Sequence, residues 1–182
     1  MARLTRITER NQVGADEHGD IFDSITSSRG RVSGPFSVLL NSPEVPGRAA
    51  HLGAYIRFES TLSDEKRELA IITAARECDC NYEGSAHAGL ASDAGVRDEA
   101  IDVVANRGSV DSLSTEEATI VSYGRELFQD HRVSDATFDA AKAIFGEQGV
   151  TELTATMGYY GMLACALNAF EVEPAPDAPS LP

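Results

Sequence analysis

The stretch SDEKRELAIITAARECDCNYEGSAH, residues 63–87, decides the fold. Ser63 precedes two acids and a lysine, which is typical of a helix start because the hydroxyl caps free N–H groups and the acids favour the positive end of the helix dipole. The interior, RELAIITAAR, is apolar on more than one face, so it predicts a central buried helix that runs to about Cys78. A second helix is predicted from about Asn81 until Gly95 stops it.

The rest of the chain is also predicted to be helical. Ser114 and Glu117 form the pattern of a capping box, which opens a helix to about Gln129. No stretch alternates between apolar and polar residues beside hairpin turns, as a half-buried strand would. We therefore expect an all-α protein of seven or eight helices. Ser134 is predicted to cap a helix over 135–145, which Gly146 ends. The other predicted elements are one or two turns from Phe36 and helices over 16–28, from Pro43 with Ser42 as its cap, over 97–106, and from about Val150 to Phe170.

Length and proline content predict the domain organisation. The 182 residues are enough for one full domain and too few for two of ordinary size. Four of the seven prolines fall in the last nine residues, so they do not belong to a packed helix. We expect one domain over residues 1–172 and a flexible tail over 173–182.

The charge balance limits the partners. There are 29 acidic against 15 basic residues, and the net charge of −14 repels nucleic-acid phosphate and anionic lipid. No apolar run approaches the roughly 18 residues of a membrane span, and no apolar stretch follows the basic start. The three cysteines are too few, and odd in number, for a disulfide framework. We expect a cytoplasmic protein without nucleic-acid or membrane partners.

Three chemically active side chains share one face of the second helix. At 100° per residue, Cys80, Glu83 and His87 fall within a sector of about 60°. Glu83 lies four residues before His87, where a carboxylate can orient the ring and raise its pKa. Glu68, on the preceding buried helix, is a further candidate because buried glutamate is rare unless it is paired or functional.

Structural interpretations remain open for each of these residues. Cys80 alone is more often a small buried apolar residue than a nucleophile. Glu83 and His87 could be a solvated pair, and Glu68 could form an ordinary ion pair with Arg67. The motif residues could ligate zinc, but no second histidine or cysteine ligand stands nearby in the sequence. We therefore expect no metal and no cofactor.

Four segments resemble the carboxymuconolactone decarboxylase family, within the alkylhydroperoxidase D superfamily. The resemblance covers about residues 34–172, is most specific over 62–96, and is to the longer type of about 180 residues. It implies the all-helical hydroperoxidase fold and an assembly of identical subunits, as a trimer, dimer or hexamer. The segments are GPFSVLLNSPE, RELAIITAAR, CNYEGSAH and GYYGMLACALNAFEV.

The resemblance also implies roles for the motif residues. The hydroperoxidase pattern is a glutamate, Cys-x-x-Cys twelve residues on, and a histidine four residues after the second cysteine. Glu68, Cys80 and His87 match this pattern, but Glu83 stands where the peroxide-attacking cysteine belongs. The paired-cysteine cycle therefore cannot run through this helix, and the remaining E-x-x-x-H is similar to the decarboxylase members.

The leading hypothesis is a cofactor-independent enzyme of the lyase type that decarboxylates, or moves protons on, a small unsaturated acid or lactone. His87 would be the general acid and base, with Glu83 as its orienting partner. Glu68 would relay protons or hold the substrate, and Cys80 would line the pocket. The predicted substrate-binding residues include Tyr82 and the cation Arg76, with Arg48 as a second cation. His51 and Tyr55, four apart on an earlier helix, either face the same pocket or are ordinary surface groups.

Two other functions are consistent with the same residues. The first is a thiol peroxidase in which His87 activates Cys80 and another thiol resolves it. The second is a non-catalytic helical oligomer that binds a small ligand. The nearly all-apolar last helix fits packing in such an assembly.

Overall fold

Helix α4 (Asp64–Glu77) lies at the centre of the protein. In the computed structural model, which describes residues 2–14, 17–176 and 178, it packs against helices α5 to α8. Every residue from position 67 to 75 is buried. This confirms the central buried helix predicted from its apolar interior. The other α-helices are α1 (Glu17–Arg29), α2 (Gly34–Leu39), α3 (Glu44–Phe58), α5 (Asn81–Asp93), α6 (Asp98–Ala105), α7 (Thr115–Arg125) and α8 (Asp135–Ala169).

The predicted fold class is confirmed. The described residues contain eight α-helices and no strand, with a 3₁₀ turn at Arg10–Gln12 and a π-helical turn at Glu126–Asp130 that extends α7. Hydroxyl caps start three of the helices, because Ser63, Ser114 and Ser134 each accept a hydrogen bond from an N–H in the first turn. These starts were predicted from the same serines.

One predicted boundary needs correction, and another is confirmed. Helix α3 begins at Glu44 with Pro43 in the cap position, one residue later than the Ser42 cap implies. The two predicted C-terminal helices are the two arms of α8, and the helical backbone breaks between them at Gly146, where the sequence predicted the first helix to end. Gly146 has φ 69° and ψ −179°, a conformation that only glycine adopts readily, so the chain turns there without a loop.

The second arm of α8 completes the core of the subunit. Leu153, Met157, Leu163 and Leu167 are at most 3% exposed and pack inside the same chain. This packing accounts for the apolar character of the helix, so that character is no longer an argument for self-association. Within the described part of the chain, no helix combines the length and apolar character that crossing a membrane requires.

The start of the C-terminal tail lies against the junction of α4 and α5. Residues 173–176 and Ala178 line a cavity of about 490 Å³ together with Arg76 and Cys80. Residues 177 and 179–182 lie outside the described residues. That the tail is flexible stays a prediction.

Candidate active site

Glu68 and His87 form a buried pair between α4 and α5. His87 Nδ1 lies 2.7 Å from Glu68 Oε2, and the two residues are 9% and 7% exposed. Arg67 pairs with Asp64 at 2.9 Å. The partner of Glu68 is therefore His87, and the alternative interpretation of an ion pair between Glu68 and Arg67 is wrong.

Glu83 lies on the opposite edge of the same imidazole. Its Oε2 is 3.5 Å from His87 Nε2, so the ring sits between two carboxyl groups. Burial raises the pKa of the Glu83 carboxyl and nearby Glu68 adds to the rise, while His87 and Arg29 act in the opposite direction. A carboxyl group with a raised pKa keeps its proton closer to neutral pH and can exchange it with a reactant.

Glu83 and His87 open onto a cavity of about 280 Å³, here called the histidine cavity. Tyr82, which the sequence analysis proposes as a substrate-binding residue, also lines this cavity. The Tyr82 ring packs on Gly34, where an added Cβ would lie 2.8 Å from the ring. Among the residues the structure describes, no group of three or more His, Cys, Asp or Glu is arranged to hold a metal ion.

A tyrosine from α8 forms one wall of the histidine cavity. The Tyr160 ring meets the His87 ring edge to face, with centroids 5.0 Å apart, and Tyr159 packs edge to face on Tyr160 at 5.2 Å. Burial raises the pKa of Tyr160, and the charges of Glu83 and Glu68 raise it further. Tyr160 is therefore a neutral phenol. Sequence reasoning missed this residue, and its only signal was a polar pair in a nearly apolar helix.

The cations of the histidine cavity are arginines that sequence reasoning also missed. Arg29, Arg31 and Arg57 line it, and none forms an ion pair with a carboxylate of the described residues. The Arg29 guanidinium stacks 4.3 Å from the Phe36 ring centroid. Its Nη2 lies 3.5 Å from the Tyr159 hydroxyl, and its buried Nε has no hydrogen-bond partner in the described structure.

The structure places Cys80 and Arg76 in a different cavity. Cys80 is the N-cap of α5 with extended backbone angles, φ −95° and ψ 93°, so the helical projection does not apply to it. Both residues line the 490 Å³ cavity under the tail rather than the histidine cavity. Burial raises the pKa of the Cys80 thiol to about 11, although N–H groups of Glu83 and Tyr82 partly oppose the rise. The prediction that the Cys80 thiol and the His87 imidazole converge on one site is therefore wrong.

His51 and Tyr55 lie away from the histidine cavity. His51 lines an open groove between α1 and α3, together with Arg48. The Tyr55 hydroxyl donates to Glu152 Oε1 at 2.7 Å. Glu152 also accepts hydrogen bonds from Thr61, so this cluster ties α3 to α8. The prediction that His51 and Tyr55 share the substrate pocket is therefore wrong. His51 lies in the groove, and Tyr55 has a structural role.

Comparison with known proteins finds a family match for the central segment. Residues 43–126 match the carboxymuconolactone decarboxylase family. This agrees with the resemblance found in the sequence. No curated protein matches the chain.

Solved structures show the same fold. A peroxidase-related protein with an alkylhydroperoxidase AhpD core, from Ralstonia eutropha JMP134, is 17% identical with a TM-score of 0.75, covering 97% of this chain and 93% of that one. The debrominase Bmp8 is 16% identical with a TM-score of 0.71, covering 95% and 92%. An AhpD-type protein of unknown function from Agrobacterium tumefaciens is 16% identical with a TM-score of 0.67, covering 75% and 95%. At these identities, the likeness shows the fold alone.

Proposed function

We propose that this chain is a cofactor-independent enzyme that moves protons on a small unsaturated acid or lactone. Its residues 43–126 match the carboxymuconolactone decarboxylase family, and its fold is of the alkylhydroperoxidase D type. The family and its structural neighbours include enzymes of different chemistries, so membership does not select the reaction. The observation that carries the proposal is the imidazole of His87 held between Glu68 and Glu83 at a small cavity.

Glu68 is the orienting partner of the histidine in this proposal. At 2.7 Å, its carboxylate accepts a hydrogen bond from Nδ1–H and fixes the tautomer in which Nε2 faces Glu83. The sequence hypothesis assigned orientation to Glu83 and proton relay to Glu68. The geometry favours the exchange of these roles, because Glu83 lines the cavity whereas Glu68 lies behind the ring.

Glu83 and His87 then share the proton transfers. In a decarboxylation, the C–C bond electrons pass into the conjugated carbonyl as CO₂ leaves, and Glu83 or His87 delivers one proton to the distal carbon. In an isomerisation, the same groups remove a proton beside the carbonyl and return it further along the conjugated chain. Both reactions need groups that exchange a proton at the working pH, and burial raises the pKa of the Glu83 carboxyl in the direction that this requires.

The arginines of the histidine cavity would hold the anionic end of the substrate. Arg29 and Arg57 lack a carboxylate partner among the described residues and lie around the cavity that Glu83 and His87 enter. A guanidinium matches a carboxylate with two parallel hydrogen bonds. These residues replace Arg76 as the proposed substrate cations.

A β,γ-unsaturated γ-lactone and the matching open-chain acid, incubated with the protein in D₂O, test the proposal. Proton NMR should show deuterium uptake and double-bond migration, or loss of CO₂ from carboxylated analogues. His87→Ala and Glu83→Gln should each lower the rate about 10²-fold or more, and the double variant should not be additive. His51→Ala is the matched control and should retain activity. A wild-type protein that leaves every such probe unchanged would overturn the proposal.

The thiol peroxidase alternative depends on Cys80. Its buried thiol with a pKa near 11 and its separation from the histidine cavity speak against it, because the thiolate is the nucleophile. Cys80→Ser is therefore expected to retain proton-transfer activity. Activity that is abolished by Cys80→Ser and tolerates Glu83→Gln would replace acid–base chemistry with thiol chemistry. A ligand-binding role without catalysis predicts that His87→Ala leaves the biological role of the protein unchanged.

A further inference from the structure

The Tyr160 hydroxyl is an unused hydrogen-bond donor at the histidine cavity. Tyr160 is 3% exposed and lines this cavity. Its hydroxyl makes no hydrogen bond to any described residue. The hydroxyl oxygen is also not one of the fully buried polar atoms without a partner, so it keeps some exposed surface. The small exposed area of the residue thus leaves the hydroxyl open to the cavity.

Three other tyrosines of the fold have a neighbour for their hydroxyl. The hydroxyl of Tyr55 bonds Glu152, that of Tyr123 bonds Thr154 at 2.8 Å, and that of Tyr159 lies near Arg29. Buried tyrosine hydroxyls usually find a partner, since an unpaired one costs about 1–3 kcal/mol. The partner of Tyr160 is therefore to be sought inside the cavity.

The groups around Tyr160 keep its phenol protonated, so it acts as a hydrogen-bond donor and not as a phenolate base. Burial and the carboxyl groups of Glu83 and Glu68 raise its pKa, so the phenol stays protonated. The edge-to-face contact with His87 fixes its ring 5.0 Å from the imidazole. The proton-transfer groups and this donor therefore serve the same small space.

We propose that Tyr160 is a catalytic residue that donates its O–H to the carbonyl oxygen on which negative charge develops during proton transfer. This inference rests on the proposed function. It narrows the substrate class to compounds in which the reacting carbon is conjugated with a carbonyl group, an ester or lactone among them. The electron pair of the broken C–H or C–C bond moves onto that oxygen as an enolate, and Tyr160 stabilises it without giving up its proton.

The first experiment compares Tyr160→Phe with wild type on the lactone probe. The phenylalanine keeps the ring that packs on His87 and removes only the hydroxyl. We expect kcat to fall about 10²- to 10³-fold with little change in KM, as for the loss of one oxyanion donor. Tyr123→Phe is the matched control, because it removes a hydroxyl that bonds Thr154 outside the cavity. Equal kcat in wild type and Tyr160→Phe would overturn the inference.

A second experiment does not require turnover. Binding of 4-nitrophenolate, a stable oxyanion, is followed at pH 8 by its absorbance change. Tyr160→Phe should weaken this binding about 10- to 100-fold, the range for a hydrogen bond to a charged group, while Tyr123→Phe should not. Unchanged phenolate affinity in Tyr160→Phe overturns the inference whatever the activity. If wild type binds phenolate through Tyr160 but transforms none of the lactones and acids, the oxyanion site stands and the proposed function fails.

Discussion

Glu83 is a carboxyl group that the fold buries at a cost in stability. Burial raises its pKa in the folded protein above the value in the unfolded chain. The folded state then binds the proton more tightly, so stability is full below the unfolded pKa and falls as the pH rises through the folded one. We expect Glu83→Gln to raise Tm at pH 8 and to raise it less at pH 5.

Thermal unfolding followed by circular dichroism at the two pH values measures this difference. Glu147→Gln is a suitable control, because the pKa of that exposed carboxyl is lowered by Lys142. A Tm that drops equally at pH 5 and pH 8 in Glu83→Gln would show that Glu83 is a stabilising group instead.

Gly53 controls the position of the Arg29 guanidinium. A Cβ at Gly53 would lie 2.3 Å from the Tyr159 hydroxyl oxygen and 2.6 Å from Arg29 Nη2. Both side chains must therefore move in Gly53→Ala. We expect the KM for the unsaturated acid to rise about tenfold and that for the neutral lactone to change little, because one charge-assisted hydrogen bond is weakened.

Steady-state kinetics on the acid and lactone measure this split. Gly89→Ala is the control on α5, since an added Cβ there meets nothing within 4 Å. Equal changes for acid and lactone would show that Arg29 does not select the anion.

At the residue scale, the sequence predicted the groups that lie within one helix and its neighbour. Glu83 and His87 follow from a spacing of four, and Glu68 follows from a charge in an apolar helix. Arg57 and Tyr160 could not be predicted, because they come from helices far apart in the chain and only packing brings them together. Cys80 was misplaced because it caps the helix rather than continuing it.

At the scale of elements, the kink of α8 depends on Gly146. Its φ of 69° with extended ψ is strained for any residue with a side chain. We expect Gly146→Ala to lower the free energy of unfolding by about 1–3 kcal/mol. Gly158→Ala, at an open helical position of α8, should instead be neutral or stabilise by about 0.5–1 kcal/mol. Urea denaturation of both variants tests this, and equal stabilities would contradict it.

Helix starts were predictable because their signals are local. Ser63, Ser114 and Ser134 each satisfy N–H groups within three residues, so no tertiary information is needed. The break in α8 was predictable for the same reason. Gly146 is a stop signal in the sequence, and its non-helical backbone separates the two arms of α8 in the structure.

At the scale of the whole molecule, self-association remains a prediction with a new structural basis. The apolar α8 is used within the subunit, but α3 exposes a stripe of Val45, Leu52 and Tyr55, each 38–44% exposed. Large apolar groups on one helix face mark contact surfaces. We expect an oligomer by light scattering at micromolar concentration and dissociation in Leu52→Asp. Leu90→Asp is the control at an equally exposed leucine, and a wild-type monomer of 19.4 kDa would contradict the prediction.

The separation of Cys80 from the histidine cavity has a consequence for how the protein would respond to oxidative stress. An enzyme with a working thiolate is lost when peroxide drives that sulfur to the sulfinic acid. No cysteine is among the described residues that line the histidine cavity, and carboxyl, imidazole and phenol groups withstand such doses. Alkylating reagents would find the exposed Cys165 first. The proposed proton transfer should thus persist at peroxide doses that inactivate enzymes with a catalytic thiolate.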